Sequence, residues 1–331
     1  MNHQTLHVVS AYSNALRWKS RKSAYEAFRA RIDSSPNAKL YTGEVAYGDR
    51  PFEVANPETD LLMRSRHELW HKENIINLTV AAKVPPEAQY IGYLDGDITM
   101  SRHDWALEAL HQLQHYDAVQ LFNTFSDVDT RHRPLALSPG FAYTYCNKIL
   151  PEVYRSEGGA LMPDYNGYTE KGKIRWAGAT GLGWAFRREA WDRMGGMLDT
   201  CILGSADWHM AFGMARLANV HPDLTDCADP YIRSIEQWQT HAAAIDSNIG
   251  YIDNHILHHF HGAKAKRFYR QRTRVLVDNR FDPGVDLKRD MYGLWQLAGN
   301  KPGLRDDLRA YFRARNEDDP SPDPDAPRLD Q

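Results

Sequence analysis

The chain is short of cysteine: only Cys146, Cys201 and Cys227 occur in 331 residues, far apart and with no CxxC pair. An odd count at that spacing argues against a disulfide framework and against a structural zinc site, and fits a reducing cytoplasm. Long apolar runs are also missing. No stretch of about 18 apolar residues occurs, and Met1 to Tyr12 lacks a basic start followed by an apolar segment, so the expectation is a cytoplasmic protein without a membrane anchor. There is no excess of basic charge either. The formal net charge of -3 leaves no overall field for a polyanion, so any such site must be local. No internal repeat is present. What the chain does have is 42% hydrophobic and 25% charged residues, the balance of a sequence that folds on its own, and enough length for one large α/β domain.

Hydrophobic patterning gives the order of elements. Leu6 to Ala11 is a β-branched run closed by Tyr12-Ser13-Asn14, and Trp18 to Ile32 has helical spacing. Leu69 to Val84 reads as a second helix, stopped by Pro85-Pro86. Gln89 to Leu94 is a strand that ends at Asp95-Gly96-Asp97. Ser101 then caps a helix through Trp105 and Leu113, and Asp117 to Phe122 is the next strand. This alternation predicts the α/β class, a mostly parallel sheet flanked by helices, with ligands at the carboxyl ends of the strands. Residues 126 to 176 take no assignment. Arg188 to Met194 is helical in pattern, Gly195-Gly196 breaks it, and another helix begins at Trp208. From Asn316 onward six acidic residues and four prolines predict a disordered tail, 316–331, after a single large domain over 1–315.

Several clusters can carry chemistry. Asp95 and Asp97 flank a glycine after an apolar strand, so two carboxylates can face a hard divalent cation while Gly96 allows a tight turn; the alternative is a plain polar turn. His258-His259-Phe260-His261-Gly262 offers imidazole ligands, with His259 and His261 on one face if the segment is extended. Between Gly262 and Arg289 nine basic residues meet three acidic ones. Lys264 and Lys266 can neutralise a phosphate group there, and the arginines beyond can contact a polyanion or simply form a solvated face. Asp207 is a candidate base or a helix cap. Trp184 is a candidate stacking residue or a core residue.

Taken in order, these motifs resemble GT-A glycosyltransferases. YIGYLDGDITM (90–100) is similar to their strand and DxD motif. GLGWAFRREAWDRMGGMLDTCILGSADWHM (181–210) resembles the acceptor loop, helix and acidic residue of β1,4-galactosyltransferase-like and family 2-like enzymes, and HHFHGAK (258–264) resembles their metal-binding histidine motifs. The resemblance spans roughly residues 5–275. It implies a GT-A-like fold with a donor half over about 1–125, an acceptor half over about 126–275 and a basic C-terminal segment over 262–315. It further implies Mn²⁺ or Mg²⁺ held by Asp95 and Asp97 with His259 or His261, and Asp207 as general base of an inverting transfer from a nucleotide-sugar, expected to be a UDP-sugar. Donor contacts are implied at Ser10, Tyr12, Asn14 and Arg17, at Lys72 and Asn77 of WHKENIINL (70–78), at Trp184, and at Gly262, Lys264 and Lys266. Where the galactosyltransferase-like pattern has paired acids, this chain has Ala206-Asp207. A bacterial or phage enzyme is implied. Its acceptor would be a hydroxymethylated pyrimidine in DNA, reached through residues 264–289, or a saccharide of a bacterial glycan. Metal-dependent nucleotidyl transfer is the rival chemistry, because it also uses paired carboxylates.

Overall fold

The computed structural model describes residues 4–149, 178–217 and 226–319, with Leu161–Met162, Gly167–Glu170, Lys173–Trp176, Leu224 and Ser321. The first apolar run forms β1 (Leu6–Ser13) and is followed by α1 (Lys19–Asp33). Alternation along β1 divides the core. Leu6 and Val8 pack with Tyr25, Phe28 and Ile32 of α1, whereas Val9 points to the opposite face. β2 (Ala38–Tyr47), β3 (Leu61–Ser65), α2 (Lys72–Lys83) and β4 (Tyr90–Leu94) continue the sheet. β5 (Ile98–Met100) leaves it, α3 (Trp105–Gln112) returns, and β6 (Ala118–Gln120) rejoins it. β7 (Thr124–Val128), β8 (Pro134–Pro139) and α4 (Phe141–Cys146) follow, then a small antiparallel sheet of β9 (Leu161–Met162), β10 (Gly167–Glu170) and β11 (Lys173–Trp176). Next come β12 (Gly183–Arg187), α5 (Arg188–Met194), α6 (Ala206–Met214), α7 (Asp229–Ala242), β13 (Ile249–Tyr251) and β14 (His255–His258). The chain closes with α8 (Tyr269–Asp278), α9 (Pro283–Asp286), the hairpin of β15 (Leu287–Arg289) and β16 (Trp295–Leu297), and α10 (Pro302–Ala314).

The main sheet has seven strands in the order β13-β6-β12-β4-β1-β2-β3. Only β12 runs against the rest, antiparallel to both β4 and β6. Helices α1 and α3 cover one face, and α2, α5, α6 and α7 the other. The α/β architecture with a mostly parallel sheet is therefore as the sequence predicts. Its one reversed strand has a consequence for the site. β4 ends at Leu94 where β12 begins, Asp95 N donates to Leu182 O at 2.9 Å, and β1 runs parallel to β4 on its other side.

A second sheet, β5-β14-β7-β8, stands beside that edge. In it His258 pairs in register with Asp127 on one side and with Ile98 on the other.

Some boundaries differ from the sequence reading. The helix placed from Leu69 starts at Lys72, and the one placed at Trp208 starts at Ala206 after Ser205, which adopts a left-handed φ of 75°. Ser101 caps nothing; its N–H donates to His255 O, and Asp104 stands at the start of α3. Residues 316–319 are packed rather than disordered: Glu317 is 2% exposed, and Asp318 accepts from the backbone N–H groups of Lys19 and Ser20 at the start of α1. The rest of the predicted tail, apart from Ser321, lies outside the described residues. Among the described residues no helix is long and apolar enough to cross a membrane.

Candidate active site

A cleft of about 710 Å³ opens where β1, β4 and β12 meet the second sheet. Its floor is the Asp95-Gly96-Asp97 turn. A Cβ on Gly96 would lie 2.3 Å from Tyr25 Cδ2, so glycine is needed here because a buried aromatic ring packs on the turn, rather than for an unusual φ. Asp97, His258 and His261 converge, each offering one ligand atom within 4.8 Å of the others. His258 Nε2 is 3.7 Å from Asp97 Oδ1, and His261 Nδ1 is 3.2 Å from Asp97 Oδ2.

Behind His258 stands Asp127, whose Oδ1 lies 2.7 Å from His258 Nδ1. That bond turns Nε2 toward Asp97, the arrangement by which a carboxylate orients a metal-binding imidazole. Burial works to raise the Asp97 pKa, but His261 and His258 hold it well below the usual carboxylate range. Burial likewise opposes a charge on His258, yet the Asp97 and Asp127 carboxylates push its pKa up to about 9. Burial and the Arg267 charge push His261 down to about 3. A buried carboxylate oxygen, Asp97 Oδ1, has no hydrogen-bond partner. Two imidazoles, one carboxylate and an unsatisfied oxygen fit a first-row divalent cation such as Mn²⁺.

The structure does not bring His259 into this group. Its Nε2 lies 2.7 Å from Thr99 Oγ1 and its backbone N–H donates to Asp97 O. In β14 the inward positions are Ile256 and His258, so the alternation through Ile256 was the signal that selects His258. Asp95 is engaged differently from Asp97: Lys72 Nζ lies 2.5 Å from its Oδ1 as an ion pair. Burial would lower the Lys72 pKa, but Asp95 and the neighbouring acids raise it above the ordinary lysine value. Beside it Glu73, 3% exposed, is pushed by burial up to about 8 and so carries its proton near neutral pH.

Asp207 also lines the cleft, from the first turn of α6. Thr180 Oγ1 donates to its Oδ2 at 3.4 Å, and a Cβ on Gly181 would stand 2.6 Å from the same oxygen. The glycine loop thus lets this carboxylate lie against the backbone.

Among the expected donor residues, Tyr12 and Lys72 line the cleft. Ser10 is buried and donates to Leu94 O. Asn14 braces the loop by donating to Tyr12 Oη, Trp18 O and Glu53, and Arg17 is exposed with a φ of 60°. Asn77 clamps Met197 through its N–H and C=O, away from the cleft. Trp184 is a core residue, 1% exposed, with Nε1 donating to Thr180 O. Gly262, at φ 90°, packs against Glu317, and Lys266 pairs with Asp319. The Lys264 side chain lies outside the described residues. The cations that do line the cleft, besides Lys72, are Arg21, Arg267, Arg272 and Arg315.

No family model matches the chain, and no curated protein matches it. Among solved structures it is similar to the mannosyltransferase PcManGT from Pyrobaculum calidifontis in complex with GDP-Man and Mn²⁺, with 12% identity over 73% of this chain and 75% of that chain and a TM-score of 0.32. A likeness this distant assigns neither ligand nor reaction to this chain.

Proposed function

We propose that the protein is a metal-dependent, GT-A-like glycosyltransferase that moves a sugar from a nucleotide-sugar to an acceptor hydroxyl with inversion. The observation that carries this reading is one cleft lined both by the converging Asp97, His258 and His261 and by Asp207. Asp97, His258 and His261 would hold the metal. When bound, the cation supplies positive charge to a departing diphosphate. Asp207 accepts the proton of the acceptor hydroxyl as its oxygen bonds to the anomeric carbon and the bond to the phosphate oxygen breaks. Lys72 and the cleft arginines add fixed charge where negative charge develops, an arrangement that enzymes commonly use for their largest catalytic effect.

The acceptor we infer is a saccharide rather than DNA. Among the described side chains of segment 264–289, four cations are engaged within the protein: Lys266 pairs with Asp319, Arg274 with Asp278 and Arg289 with Asp199, while Arg272 donates to Ser205 in the cleft. A neutral acceptor predicts rates that vary little with salt, whereas phosphate contacts predict a steep decline.

The test is product analysis with a panel of UDP-, GDP- and ADP-sugars, Mn²⁺ and oligosaccharide acceptors. Release of a nucleoside diphosphate with sugar on the acceptor supports the reading. Pyrophosphate release from nucleoside triphosphates, with no reaction of any nucleotide-sugar, would replace it with nucleotidyl transfer.

A further inference from the structure

Among the described residues of the acidic C-terminal segment, Glu317 is the most deeply placed acid, and it faces two arginines. Arg21 donates to it from Nε and Nη2 at 2.6 to 3.0 Å, and Arg315 donates from Nε at 2.8 Å. All three residues line the cleft. We propose that Arg21 and Arg315, held by Glu317, form a phosphate-binding site in the cleft wall, with residues 316–319 as its scaffold. The identity of the natural ligand, a nucleoside diphosphate, rests on the function proposed above; the existence of the anion site does not.

Charge accounting points to a missing anion. Two guanidinium groups surround one carboxylate, which leaves one positive charge in a cleft wall where the Arg315 side chain is 5% exposed, that of Glu317 1% and that of Arg21 27%. Buried charge is costly unless it is matched. Each guanidinium is also set against an indole, Arg21 at 5.2 Å from the Trp18 ring and Arg315 at 5.5 Å from the Trp70 ring. Arg21 Nη1 also donates to Ser13 O at 2.7 Å and Arg315 Nη1 to Tyr311 Oη at 3.2 Å, so both planes are fixed before a phosphate arrives to take charge-assisted hydrogen bonds from their remaining N–H groups.

The alternative is that Glu317 occupies the anion position itself and must leave. The backbone around it argues for a scaffold. Asp318 accepts from Lys19 N, Ser20 N and Ser20 Oγ at 2.7 to 2.9 Å, Asp319 pairs with Lys266, and Gly262, next to His261, packs on the Glu317 backbone. Anchored on both sides, the carboxylate orients the arginines and stays in place.

The experiment is calorimetric titration of inorganic pyrophosphate into the full chain in metal-free buffer. Wild type should bind it, and Arg21→Gln should weaken binding about tenfold or more, the effect of losing charge-assisted hydrogen bonds. Lys22→Gln, which removes the same charge from an exposed position on α1, should leave affinity unchanged. Glu317→Gln should weaken binding as well, because the arginines lose their alignment. Tighter binding by Glu317→Gln would overturn the scaffold role, and unchanged binding by Arg21→Gln would overturn the site. Should Glu317→Gln fail to fold, Arg21→Gln and Arg315→Lys still decide. Pyrophosphate binding of this pattern without any metal-dependent nucleotide binding would sink the proposed function and leave the anion site standing.

Discussion

At the scale of single residues, the metal group depends on which imidazole faces inward. Asp127 fixes His258 through its Nδ1, so Asp127→Asn is expected to lower Mn²⁺ affinity by roughly 10- to 100-fold, as loss of such an orienting carboxylate does. His259→Gln should leave affinity unchanged, and calorimetric titration of Mn²⁺ reads both. For Asp207→Asn the expected loss in turnover is about 10²- to 10⁴-fold with donor binding retained, measured as a split between kcat and KM. Gly96→Ala should destabilise the fold by about 1 to 3 kcal/mol in urea unfolding, since the added methyl meets the Tyr25 ring. Asp97 and Asp207 were legible because each follows a recognisable turn. Trp184 was not, since an indole beside glycines looks alike in a loop and in a strand; the pairing of β12 between β4 and β6 buries it. Nothing local ties Arg21 to Glu317, because that contact joins residues 296 apart in sequence, and the two-residue spacing of Arg315 and Glu317 alone does not mark a cleft.

At the scale of elements, α2 brings Lys72 and Glu73 to the cleft, and its start is set by a buried histidine. His71, 2% exposed, has Nε2 2.9 Å from Trp295 O, and burial pushes its pKa from 6.5 down to about 4. Protonation therefore favours the unfolded chain. The stability this ring contributes is fully present above pH 6.5 and is lost as the pH falls through about 4, a gap worth roughly 3 kcal/mol. Thermal melts between pH 7 and 4 should show a shallower decline for His71→Gln, whose amide N–H replaces the Nε2 donor to Trp295 O. Strands β1 and β4 and helices α1 and α5 were readable from periodicity, within a few residues. β2 went unassigned because a strand covered on both faces shows no alternation, and β3, an edge strand of five residues, alternates only over Met63-Arg64-Ser65. The reversal of β12 is invisible in a pattern that records burial and not direction.

At the scale of the whole molecule, the net charge of -3 says nothing of a cleft that gathers arginine and lysine with six acids, and residues 316–319, which read as solvated chain, pack with Glu317 in its wall. Composition reports the average, whereas Asp318 and Glu317 act through geometry that only the closed fold supplies. The central claim is that Asp97, His258 and His261 hold a divalent cation for a nucleoside diphosphate. Its most direct test is calorimetric titration of UDP and GDP into wild type and His258→Gln, with and without Mn²⁺. The account predicts that Mn²⁺ strengthens binding of at least one nucleotide in wild type by about tenfold or more, equivalent to ~1.4 kcal/mol, and not in His258→Gln. Equal affinities with and without Mn²⁺ in wild type would contradict it.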